Sequence, residues 1–175
     1  TQQESIANET AVSTTSSGTS AAQATAAASS SQNQSKYEAN VASVAGKMDN
    51  RVIAAYQQLG FKIVVDPSVN YSGYFDARSR SITMKQIDDS VYHELGHFLA
   101  FIAGNADKTA SFQSIFAAEK ANVTAFNKAY VTQNASEYFA ESVKDYILNN
   151  ASLKSSRPQT YAAVQNALNQ ITDAQ

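Results

Sequence analysis

The sequence predicts an α+β domain: a helix, a cluster of short strands, then a run of helices. Three observations carry that expectation. Apolar residues recur at three- and four-residue steps over 41–59, β-branched and aromatic residues gather in short stretches between 61 and 85, and helical periodicity resumes from about 90. In the first helix the repeat runs through Val41, Val44, Ala45, Met48, Val52, Tyr56 and Leu59, with Gly60 as its terminator. FKIVVD (61–66) reads as a strand stopped by Pro67, and NYSGYF (70–75) and SITMK (81–85) as strands separated by the polar turn DARSR. Asp88, Asp89 and Ser90 are alternative N-caps for a helix reaching Ala103, with Gly104 after it. Phe112, Ile115 and Phe116 mark another helix, and AYVTQNA (129–135) reads as a connecting loop. SEYFAESVKDYILN (136–149) is a helix with Phe139, Val143, Tyr146 and Ile147 on its apolar face. The last helix starts at Pro158 and buries Tyr161, Val164, Leu168 and Ile171.

Residues 1–35 stand apart. They contain no Lys or Arg and consist mostly of Ser, Thr, Ala, Gln and Asn, too little apolar surface to offset the entropy of ordering. They are expected to form a flexible, Ser/Thr/Ala-rich leader of the kind that precedes exported domains, ahead of one domain over 36–175. The opening TQQESIANET has neither the basic start nor the apolar core of a secretory signal.

Composition excludes several function classes. The chain has no cysteine, which removes thiol catalysis, disulfides and cysteine-ligated zinc. A net charge of −2 with scattered basic residues gives no footprint for nucleic acid or a charged membrane surface. No apolar run approaches the ~20 residues of a spanning helix. A monomer is expected.

The only two histidines, His93 and His97, sit in VYHELGHFLA (91–100). On a helix they lie about 40° apart, one turn above the other, so both imidazoles can reach one ion. Val91, Leu95, Phe98, Leu99 and Ile102 cluster on the far side as the core stripe. Glu94 is rotated about 100° from His93, awkward for ligation but placed to act on water at the metal. Gly96 weakens the helix and admits either another backbone or a substrate. A catalytic zinc needs a third protein ligand, which here must be a carboxylate. Asp107, Glu119, Glu137, Glu141, Asp145 and Asp173 are the downstream candidates. Glu137 and Glu141 share one helix face, so that one can ligate while the other hydrogen-bonds a ligand histidine. Geometry does not choose between them, and Glu137 could also complete a capping box with Asn134.

HELGH, followed after about forty residues by YVTQNASEYFAES, resembles the catalytic domain of anthrax lethal factor and the secreted Pro-Pro endopeptidases, as do FQSIFAAEK and SLKSSRPQTYAAVQNAL. These are zinc metallopeptidases with a compact zincin fold. The resemblance implies a small twisted sheet packed on the active-site helix, with C-terminal helices completing the domain. In that family the third ligand is a glutamate seven residues after a tyrosine that hydrogen-bonds the tetrahedral intermediate. Tyr130 and Glu137 have that separation, which implies Glu137 as ligand, Tyr130 as oxyanion donor and Glu141 as support. The chain departs from the Pro-Pro endopeptidases in having no Trp, in Ser136 standing where they carry an acidic residue, and in the shortness of the stretch before the active helix. The resemblance therefore implies the hydrolytic centre and not the proline selectivity.

The expectation is a secreted or cell-surface bacterial endopeptidase using one zinc ion, with His93, His97 and Glu137 as ligands and Glu94 as general base. Its substrate is expected to be a peptide bound as an extended strand along SITMK. The alternatives are an exported binding module with a structural zinc, or a toxin effector domain with the same chemistry.

Overall fold

The structure, a computed structural model, describes residues 35–171. Apart from Ser35, the expected leader lies outside the described residues, as does Asp173. Four strands form one sheet in the order β1-β2-β4-β3: β1 (Tyr37–Ala39), β2 (Lys62–Val65), β3 (Gly73–Asp76) and β4 (Ser81–Met84). β1 runs antiparallel to β2, β2 parallel to β4, and β3 antiparallel to β4. The remaining elements are helical: α1 (Val41–Val44), α2 (Asn50–Gln58), α3 (Ser90–Ile102), α4 (Ala110–Glu119), α5 (Lys128–Val131), α6 (Ala135–Leu148), α7 (Asn150–Ser156) and α8 (Pro158–Ile171). The architecture is α+β, as the element order predicts.

The sheet buries one face. Ile63, Val65, Phe75, Ile82 and Met84 point inward, alternating with half-exposed neighbours. Against that face lies α3, whose Phe98 ring meets Tyr56 and Phe61 at 4.9 Å and Phe75 at 6.2 Å. On its other side α3 packs along α6. Every residue from Val91 to Ala100 is therefore buried, including the side of the helix carrying the histidines.

Four expectations change. The helix over 41–59 is two helices, because Asp49 turns extended (φ −54°, ψ 131°) and its carboxylate accepts the Arg51 N–H at 2.9 Å to start α2. The apolar repeat continues across the break, since Val41, Ala45, Met48, Val52 and Tyr56 are all buried. AYVTQNA is not all loop, because its first residues belong to the single turn α5. SITMK is not an edge strand: β4 lies between β2 and β3, and among the described residues the edges are β1 and β3. The extended-peptide expectation thus moves to a different strand. Two elements had no pattern to betray them. β1 has only three residues, two of them exposed, and α7 buries Leu153 alone.

Caps fix the helices that matter most. Asp88 accepts the Ser90 N–H at 3.0 Å ahead of α3. Asn134 accepts the Glu137 N–H at 2.8 Å and so pins the first turn of α6. Pro158 has no N–H to cap, and Glu119 takes the next two, from Gln159 at 3.1 Å and Thr160 at 2.7 Å, together with the Thr160 hydroxyl at 2.8 Å.

Candidate metal centre

Where α3 crosses α6, Gly96 faces Ala140. A Cβ at position 96 would stand 2.7 Å from both the Ala140 Cα and its carbonyl oxygen, closer than any side chain tolerates. The glycine thus admits another backbone, one of the two readings open from sequence. That approach sets Glu137 and Glu141, one on either side of Ala140, against the histidines. His93 Nε2 lies 3.0 Å from Glu137 Oε2, and His93 Nδ1 lies 2.7 Å from Glu141 Oε2. His97 Nε2 lies 3.5 Å from Glu137 Oε1, and the two imidazole rings stand 5.0 Å apart at 78°.

His93, His97 and Glu137 each offer a ligand atom, and these atoms lie within 4.8 Å of one another, a group that could hold a metal ion. Two histidines and a glutamate are a recurrent donor set of catalytic zinc. Ligands at zinc's ~2.1 Å bond length in a tetrahedron lie ~3.4 Å apart, and the 3.0 and 3.5 Å histidine–glutamate separations bracket that value. The residues present fit the ion.

Glu94 is buried and does not belong to that group. Its side chain runs under the start of β3, where Gly73 lies against it, and its carboxylate still feels both imidazoles and Glu137. Tyr130 sits on α5, half-buried against the core, and three residues, Thr132–Asn134, separate that turn from α6.

Electrostatics separate the three glutamates. Burial pushes Glu94 up from the ordinary carboxylate range, and the neighbouring imidazoles offset only part of that. Burial acts the same way on Glu137, but His93 and His97 outweigh it and hold that carboxyl well below its usual range. Glu141 is also lowered, with burial overcome by His93 and, less strongly, by Lys144 and Arg157. For His93, burial favours the neutral ring. Carboxylates on both nitrogens reverse the balance and hold it up at about 10. Glu137 and Glu141 are thus held in the ionised form beside the imidazoles, while burial raises Glu94 above its ordinary range.

Among the described residues, the other acidic candidates lie outside that group. Glu119 caps α8, Asp145 accepts from Arg157 at 2.5 Å, and Asp107 is buried in the 3-10 turn Ala106–Lys108. Sequence reasoning missed Gly73. A glycine opening a strand is itself a sign of close backbone approach, and it stands in the predicted NYSGYF.

The model of the family described as anthrax toxin lethal factor, N- and C-terminal domain, matches residues 76–167, more than half of the chain. The chain belongs to the anthrax toxin lethal factor family. The matched span holds α3, α5 and α6 and with them every residue of the site, though not Gly73. A Pro-Pro endopeptidase from Clostridioides difficile (strain 630) is 41% identical over 78 residues, 42% of this lethal factor family chain and 34% of that protein. The match thus spans about a third of the relative's length. Among the described residues no helix is long and apolar enough to cross a membrane.

Proposed function

We propose that this chain is a secreted, zinc-dependent endopeptidase of bacterial origin, with a zincin-like domain over 36–175 behind a leader at 1–35. The observation that carries the reading is the convergence of His93, His97 and Glu137 beside a buried Glu94. His93, His97 and Glu137 would hold the ion. Zinc bound there supplies a Lewis acid that polarises the scissile carbonyl and lowers the pKa of water from 15.7 to about 7. Glu94 takes the proton of the attacking water and passes it to the leaving amine, for which its raised pKa suits it. Tyr130 donates a hydrogen bond to the developing oxyanion, a role worth roughly 3–4 kcal/mol where such donors have been removed. Glu141 orients His93 through its Nδ1. The substrate is a peptide that adds as an extended strand to the outer edge of β3, next to Glu94.

The resemblance to a Pro-Pro endopeptidase and the leader's composition support export and a peptide substrate. The test is incubation of the full chain with a diverse peptide library, with and without chelator, with cut sites read by mass spectrometry. Cleavage lost on chelation and restored by zinc is expected. A zinc-loaded protein that cuts no peptide would overturn the proposal in favour of an exported binding module.

A further inference from the structure

Gly73 is buried at the first position of β3, paired with Met84 of β4. Its backbone does not call for glycine, because the glycines with left-handed φ among the described residues are Gly60 and Gly104. Glycine inside a strand offers no side chain to pack and weakens it. The reason lies in the missing atom. A Cβ there would stand 2.8 Å from Glu94 Cγ, 3.1 Å from Glu94 Oε1 and 3.0 Å from Met84 Sδ. Met84 Sδ is near the end of its chain but lies fully buried in the core, so it also resists the added atom, at a longer distance than Glu94 Cγ. Glu94 Cγ is close to a helix backbone that is buried on every side, so its side chain can yield only by leaving its rotamer.

We infer that Gly73 is the positioning residue of Glu94: the gap left by its absent side chain fixes where the glutamate carboxylate sits under the edge strand. The inference rests on the proposed role of Glu94 as general base. The atoms nearest a Cβ at Gly73 belong to Glu94 and Met84 and not to the histidines or Glu137, so its effect should fall chiefly on the proton-transfer group. A base displaced by about 1 Å can lose on the order of 100-fold in rate.

The experiment uses the full chain as wild type, Gly73→Ala, Glu94→Ala and the double variant. On a peptide that the wild type cuts in a chelator-sensitive way, Gly73→Ala should lower kcat about 100-fold with KM and zinc affinity unchanged. The second readout is the urea midpoint of the metal-free protein, which needs no activity. Gly73→Ala should lower it clearly more in the wild-type background than in the Glu94→Ala background, where only Met84 still stands against the added methyl. An equal drop in both backgrounds would overturn the inference, since Gly73 would then answer to Met84 or the strand alone. An unchanged kcat would overturn it as well. If the wild type cuts nothing, the proposed activity fails, while the urea comparison still decides whether Gly73 positions Glu94.

Discussion

The helix crossing at Gly96 permits a prediction whose size follows from the structure. Gly96→Ala adds one carbon at a point 2.7 Å from the Ala140 Cα and carbonyl oxygen and 3.1 Å from its carbonyl carbon. Carbon atoms rest at about 3.5–4.0 Å, and backbone cannot rotate aside, so α3 and α6 must part locally by about 1 Å. Overpacking of this kind costs about 1–3 kcal/mol, and replacing a helical glycine by alanine returns about 1 kcal/mol. The net loss of about 1 kcal/mol leaves the domain folded. Metal binding should suffer more. Glu137 and Glu141 flank Ala140 and move with it, while metal–ligand distances tolerate only about ±0.2 Å. Displacing a ligand and its supporting carboxylate together should weaken zinc binding by about 10–100-fold, or about 1.4–2.7 kcal/mol. Chelator competition measures the affinity, and a urea titration of the metal-free protein measures the stability. Gly46→Ala is the control, since a Cβ there meets only Ala42 O at an ordinary 3.6 Å. A folded Gly96→Ala protein that binds zinc as tightly as wild type would refute the claim that this crossing sets the site.

Glu94→Gln keeps the shape of the side chain and removes the base, so zinc affinity should persist while kcat falls by at least about 100-fold; full activity would exclude the proposed role. Zinc takes His93 as a neutral ring, whereas in the metal-free protein the ring keeps its proton up to about 10. Binding must therefore release that proton, and affinity should rise by about tenfold per pH unit between pH 6 and 9, which calorimetry in buffers of different ionisation enthalpy would detect. A flat profile would mean that His93 is not displaced from its carboxylates. Glu119→Ala strands the N-terminal donors of α8 and should cost about 2–3 kcal/mol in urea unfolding with zinc affinity unchanged; weaker zinc binding would contradict its assignment as a cap.

What the sequence discloses and what it hides divide along a physical line. The candidate ligands lie on two helices at four-residue spacing, and that spacing is a local property, so His93 with His97 and Glu137 with Glu141 are legible one helix at a time. Their meeting is not local, and it was the tyrosine–glutamate spacing of a family resemblance that paired them. The order of the sheet is hidden more deeply. Ser81–Met84 alternates half-buried and buried residues as an edge strand does, and a four-residue strand carries no information about its neighbours. The break at Asp49 escaped because the buried repeat runs straight through it from Ala45 and Met48 to Val52. Periodicity reports which side chains face the core, and the backbone can change course without changing that.

Two positions where local preference disfavours glycine are the ones nearest the proposed chemistry. Gly96 weakens a helix and Gly73 weakens a strand, yet a methyl group at either would collide with an atom that matters. At Gly96 the obstacle is the backbone of α6, so the gap decides where the proposed ligand Glu137 can stand. At Gly73 it is the stem of Glu94, so the gap decides where the proposed base can stand. The two gaps lie on opposite sides of α3 and act on different groups, which predicts a separation of effects. Filling the first should weaken the metal, and filling the second should slow the reaction with the metal still in place. At both glycines the local rule gives way where the backbone must admit another group, the pattern left by selection for the site over stability.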